Sequence, residues 1–138
     1  MSTERQKIDD QINPDIVTDP NVRKVVVYCI KTCSTCKTAI NELEEAGFGV
    51  RYKDVRGQDM GLEDWQHLEE QAGWEALVNR KSQTWRNLDE ASKTGLNRDK
   101  AIELLIAKPT LMKRPAIDCG NKVVLGWTEE SKRELDLA

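Results

Sequence analysis

The chain has 138 residues, 33% of them charged, with a net charge of −3 and a mean hydropathy of −0.64. That length is one domain with room for its own hydrophobic core. No window approaches the ~18 apolar residues of a membrane span, so no membrane role is expected. The charge is unevenly placed. Residues 1–22 hold Arg5 and Lys7 against Glu4, Asp9, Asp10, Asp15 and Asp19, which accounts for the whole of the −3. Residues 23–138 then balance, 19 basic against 19 acidic, and offer no basic footprint for nucleic acid. Met1–Lys7 carries no apolar signal core, so the cytoplasm is the expected compartment, where thiols stay reduced.

In chain order, residues 1–22 are polar, contain Pro14 and Pro20, and read as a flexible acidic tail. The domain proper spans 23–138. Val25–Ile30 is a β-branched apolar run and predicts a buried strand. Thr35–Ala46 has helical spacing through Ala39, Ile40, Leu43 and Ala46, with Gly47 as its C-terminal stop. Gly49–Val55 alternates as a second strand, giving a β-α-β unit with parallel strands and a right-handed crossover. Leu62–Gln71 predicts a helix that Gly73 breaks. Trp74–Val78 is a short apolar turn, 79–84 a polar loop, and 85–91 one further helical turn. Asn97 caps a helix that runs to about Lys108 before Pro109. Ala116–Cys119 and Lys122–Leu125 form a hairpin across Gly120–Asn121, and Thr128 caps a last helix, Glu129–Leu137. The order β-α-β, helices, β-β-α matches an α/β fold, a thioredoxin-like mixed sheet with a helical insertion between its halves.

The chemistry gathers where the first strand meets the first helix. There the sequence reads Cys33-Ser-Thr-Cys36. The first backbone N–H groups of a helix lack intrahelical partners and carry partial positive charge. A thiolate there is stabilised, so Cys33 is the expected nucleophile. Lys31 and Lys37 flank it. Cys36 fits two roles: a resolving thiol for an intermediate on Cys33, or the first apolar position of the helix. Cys29 and Cys119 are expected to pack in strands. The lone histidine, His67, is expected to be solvated, and Trp65, Trp74, Trp85 and Trp127 to pack. Without a second C-x-x-C or paired histidines no zinc site is expected. The Cys29, Cys33, Cys36 spacing also fits an iron–sulfur cluster loop, which the short chain and the strand position of Cys29 disfavour.

Three segments resemble one family: the turn from Val27-Tyr28 to Cys33; Gly73-Trp-Glu-Ala-Leu-Val-Asn-Arg80 with Thr84-Trp-Arg-Asn-Leu-Asp-Glu90; and Leu111-Met-Lys-Arg-Pro115. Over residues 24–137 the chain resembles the ArsC/Spx-like, YffB-like branch of the thioredoxin superfamily, proteins related to arsenate reductase. The resemblance implies a thiol oxidoreductase in which Cys33 attacks an oxyanion, or a glutathione-conjugated substrate, and forms a covalent intermediate. Glutathione, or a thioredoxin or glutaredoxin as redox partner, would then supply electrons, with no tightly bound cofactor. It implies further that Arg114 binds the oxyanion with Arg80 beside it, and that Pro115 is a cis proline. Guanidinium forks suit such oxygens.

Two positions depart from the glutathione-linked reductases. Cys29 stands where they place a histidine, and Leu125-Gly-Trp127 where they place a third arginine. The added Cys36 resembles instead the dithiol of Spx regulators. That implies an alternative: a redox-sensing adaptor that binds a protein partner and switches through a Cys33–Cys36 disulfide.

Overall fold

The computed structural model describes residues 23–58 and 60–137, so the tail expected over 1–22 lies outside the described residues. The elements in order are β1 (Lys24–Cys29), α1 (Ser34–Glu45), β2 (Gly49–Asp54), α2 (Leu62–Ala72), α3 (Trp74–Leu77), α4 (Gln83–Arg86), α5 (Glu90–Lys93), α6 (Arg98–Ala107), a 3-10 turn (Pro109–Leu111), β3 (Ala116–Asp118), β4 (Val123–Leu125) and α7 (Glu129–Glu134). The four strands make one mixed sheet in the order β2-β1-β3-β4. β1 runs parallel to β2 and antiparallel to β3, and β3 antiparallel to β4.

Alternation along β1 divides the core. Successive strand residues point to opposite faces. Val25, Val27 and Cys29 fall on one face with Cys36, Leu43, Phe48, Ile117, Val124 and Leu135, under α1 and α7. Tyr28 and Ile30 fall on the other with Val55, Trp65, Leu68, Leu77, Leu105, Leu111 and Met112, under the inserted helices. Burying a Leu-sized side chain contributes roughly 1.5–3 kcal/mol, so both faces are needed to hold the central strand. The insertion, α2 to the 3-10 turn, is tied together by a short antiparallel bridge between Val78 and Met112. It is reinforced by Asn79 N–H to Leu111 O at 2.9 Å and Lys113 N–H to Leu77 O at 2.8 Å.

The caps explain most boundaries. Asn97 accepts from the Lys100 N–H at 2.9 Å and Thr128 from the Ser131 N–H at 3.1 Å. Gly73 adopts φ +84° between α2 and α3, a conformation open chiefly to glycine. Three expectations are corrected. The helical turn expected over 85–91 is two turns, α4 and α5. Ser82 and Asp89 each cap a new start, accepting from Trp85 N–H at 3.1 Å and Ser92 N–H at 2.8 Å. The last helix stops at Glu134, because Leu135 turns fully into the core and Asp136 takes φ +64°. The hairpin strands are one residue shorter, with Cys119 N–H to Lys122 O at 2.9 Å closing the turn.

Adjacent positions on α6 test this division. Leu105 is fully buried while Ile106 is 46% exposed. Leu105→Ala is expected to cost about 2–5 kcal/mol, and Ile106→Ala to stay within about 0.5 kcal/mol. Urea titration under reducing conditions measures both.

Candidate active site

The turn from β1 to α1 is fixed at both ends. The Cys33 N–H donates to Ile30 O at 3.0 Å, and its carbonyl accepts the Lys37 N–H at 3.2 Å. Cys33 is therefore the N-cap of α1, with φ −83° and ψ 115°. Asp54, at the end of β2, holds the same turn from the side. It accepts the Lys31 N–H at 3.2 Å, the Arg56 N–H at 2.8 Å and the Tyr52 hydroxyl at 3.4 Å. The Val55 N–H closes the corner by donating to Cys29 O at 2.9 Å.

Sulfur geometry follows from the cap. The N-cap residue and the third helical residue face each other at a helix start, so C-x-x-C spacing brings Cys33 and Cys36 into contact. Cys33 is half-buried and borders both halves of the core; Cys36 is 1% exposed. Cys36 points down onto the sheet face that carries Cys29, which is fully buried. Three sulfurs thus form a column, from Cys33 at the surface through Cys36 to Cys29 at the end of β1. All three are free thiols.

The electrostatics of the column centre on Cys36. Its thiol is lowered to about 7, chiefly by a hydrogen bond from Cys29, against the cost of burial. A bond from Cys33, the Ile30 backbone and the Arg114 charge add to the effect. Cys29 is pushed strongly up, because it serves as the donor to Cys36 and is buried. Cys119 lies apart, half-buried beyond β3, and burial raises its thiol.

Arg114 and Pro115 reach the column through sheet register. Tyr28 pairs with Ala116. Continuing that register sets Pro115 opposite Cys29 and Arg114 opposite Ile30. The Arg114–Pro115 peptide bond is cis, and Pro115 is fully buried. Arg80 is placed otherwise. It leaves the Val78–Met112 bridge in the direction opposite to Arg114, is exposed, and carries its guanidinium 5.5 Å from the centre of the Trp85 ring. Lys93 approaches the same ring at 5.5 Å.

Sequence reasoning missed the Cys29 contact. Its signal was present: Cys29 shares a face with Val25 and Val27, and Cys36 leads the apolar stripe of α1 that packs there. Asp54 as the anchor of the turn had no signal beyond its place at a strand end. His67, expected to be solvated, instead pairs through Nε2 with Asp118 Oδ2 at 2.7 Å, tying α2 to β3. Among the described residues, no group of three or more His, Cys, Asp or Glu is placed to hold a metal ion, and no helix is long and apolar enough to cross a membrane.

A dithiol at the head of the first helix, facing a cis proline on a mixed four-stranded sheet, defines a thioredoxin-like protein. The family model of ArsC proteins matches residues 28–135, and the chain belongs to the ArsC family. An uncharacterized protein of Haemophilus influenzae is 39% identical over 106 residues, 77% of this chain and 93% of that one. A solved structure of a protein named YFFB superposes with a TM-score of 0.72 at 33% identity, over 80% of this chain and 96% of its own. An arsenate reductase (ArsC) related protein from Brucella melitensis gives 0.67 at 29%, over 85% and 97%. An arsenate reductase from Vibrio cholerae gives 0.68 at 20%, over 86% and 100%, a likeness of fold. The family and these relatives support a thiol-reductase type of function.

The column makes stability depend on pH in a definite sense. An unfolded thiol ionises near its ordinary value of 9, whereas folded Cys36 ionises near 7. Between these values the unfolded chain binds more protons, so stability rises with pH across that window and its gain is lost as pH falls through 7. Above 9 the sign reverses. Cys29, and Tyr28, which burial chiefly raises to about 12, keep protons that the unfolded chain releases. Urea midpoints measured from pH 6 to 10 should therefore climb and then fall, and Cys36→Ser should abolish the climb.

Proposed function

We propose that this chain is a thiol-dependent reductase of the arsenate-reductase type, working in the cytoplasm on a small oxyanion or a glutathione-conjugated substrate. Electrons come from glutathione, or from a thioredoxin or glutaredoxin. The observation that carries the reading is Cys33 itself: a half-exposed thiol at the head of α1, with Arg114 and cis-Pro115 leading into the strand that pairs with β1. In this mechanism Cys33 attacks the oxidised centre, expels an oxygen as water and forms a covalent adduct. Arg114 holds the remaining oxygens, or the carboxylate of a glutathione moiety, through charge-assisted hydrogen bonds. A second thiol, from glutathione or Cys36, then closes a disulfide with the first sulfur and leaves two electrons on the substrate. Arg80 joins the site by leaving the Trp85 face when the anion is bound.

An adaptor of the Spx type is the second reading, favoured by one observation. Cys36 touches Cys33 across a single helical turn, so the pair can close on oxidation without rearranging the sheet. Here the disulfide changes the surface offered to a protein partner.

An NADPH-coupled assay with glutathione, glutaredoxin and arsenate tests the reductase. Turnover in wild type, lost in Cys33→Ser, is the expected result. Arg114→Ala should raise KM for the oxyanion by about tenfold or more, the worth of a charged hydrogen bond. Absence of turnover, with a reversible Cys33–Cys36 disulfide seen by mass spectrometry, would overturn it in favour of the adaptor.

A further inference from the structure

The five residues that carry the nucleophile into α1 contain no buried side chain: Lys31, Thr32, Ser34 and Thr35 are exposed, and Cys33 is half-buried. Apolar packing holds this turn only at Cys33 itself, so its shape depends on hydrogen bonds. Ile30 O accepts the Cys33 N–H at 3.0 Å, which makes Lys31 and Thr32 the central residues of a β-turn that ends on Cys33. The Lys31 N–H, at the first central position, is held from another strand, by Asp54 Oδ2 at 3.2 Å. We propose that Asp54 is a positioning residue for the reaction of Cys33: its carboxylate, at the end of β2, pins the turn at Lys31, keeps Cys33 at the head of α1, and so speeds the attack by its sulfur. The inference rests on the reading of Cys33 as nucleophile and adds the group that holds it in place.

The carboxylate is largely enclosed and fully engaged. Its side chain is 20% exposed, and strand register sets Asp54 beside Cys29, the last residue of β1. Oδ2 accepts from the Lys31 N–H and from the Tyr52 hydroxyl at 3.4 Å. Oδ1 accepts from the Arg56 N–H at 2.8 Å and faces Arg56 Nε at 3.5 Å. The Arg56 N–H bond is local, of the kind an aspartate makes to the backbone just ahead of it in a turn. The Lys31 bond spans 23 positions, and no local preference accounts for it. Every partner is a donor. A carboxylate accepts from all of them, whereas an amide would aim its own NH2 at one of the two backbone N–H groups. The position therefore calls for Asp rather than Asn.

Position and charge predict opposite signs. A carboxylate near a thiol opposes its ionisation. Were charge the only effect of Asp54, its removal would speed Cys33. The head of a helix favours a thiolate through its unpaired N–H groups. Because Asp54 acts by keeping Cys33 there, its removal slows the sulfur instead. The Arg56 guanidinium takes no part in this. It is 43% exposed, and its pair with Asp54 is a surface contact of small effect. What the carboxylate holds on that side is the backbone.

The test uses the reduced 138-residue chain and iodoacetamide, from which the Cys33 thiolate displaces iodide, read at Cys33 by mass spectrometry. Amide hydrogen exchange by NMR accompanies it. In Asp54→Ala and Asp54→Asn, alkylation of Cys33 at pH 7 should slow by about tenfold, the effect of losing a hydrogen bond to a charged acceptor. Exchange at the Lys31 and Cys33 amides should quicken by a similar factor, with Val27 in the middle of β1 unchanged. Arg56→Ala should match wild type in both. In the arsenate assay the Asp54 variants should lose kcat and keep KM for the oxyanion, which Arg114 holds. Alkylation unchanged or faster in Asp54→Ala would overturn the proposal. So would wild-type behaviour in Asp54→Asn, or a loss of protection at Val27 equal to that at Lys31. A wild-type Cys33 no faster than the thiol of a free peptide would instead defeat Cys33 as nucleophile. Exchange at the Cys33 amide still decides the role of Asp54, and no change there in Asp54→Ala would overturn it.

Discussion

The pairing of β1 with a neighbour on each side is the constraint on which the site depends. Its parallel register with β2 sets Cys29 opposite Asp54, and its antiparallel register with β3 sets Tyr28 opposite Ala116. A slip of one residue on either side would turn Cys29 away from α1 and carry Pro115 off the sulfurs. Apolar burial on both faces prevents that slip. Chemistry at the end of the strand is therefore positioned by packing along its whole length.

The site then divides its work between polar anchoring and burial. Asp54 spends its oxygens on backbone N–H groups at Lys31 and Arg56, which fixes the turn from the side. Beneath the turn, burial makes a lone thiolate costly. The neighbouring Cys29 and Cys33 thiols, with the Arg114 charge, offset that cost at one position, Cys36. A partly exposed sulfur thus stands above an enclosed one, whose thiol burial pushes up and these neighbours bring down.

Much of this was legible in the residues. The β-branched run of β1, the stripe of α1 and the caps at Asn97 and Thr128 announce their elements because local preference and tertiary packing agree there. The place of Cys33 at the head of α1 was legible through spacing, and the cis bond before Pro115 through resemblance. The rest depended on distances no pattern encodes. That Cys29 meets Cys36 follows from laying one helix on one sheet face, which requires both periods at once. His67 and Asp118 are 51 positions apart and meet only because α2 packs near β3. Arg80 resembles a site residue by sequence, but the aromatic face of Trp85 holds it in this state. The turns α4 and α5 were blurred into one because Ser82 and Asp89 are ordinary loop residues until their side chains accept a bond.

The bridge between Val78 and Met112 stands two residues ahead of Arg114. Arg114 therefore stands between the inserted helices on one side and the sheet on the other, while the sulfurs gather where β1 meets α1. Helical segments rebuilt around that bridge could re-aim the cation, or replace it, and leave the strands untouched. On the proposed reading, recognition and reaction are then written in separable stretches of one chain. Such a scaffold can drift from one anion to another, or from turnover to sensing, without first coming apart.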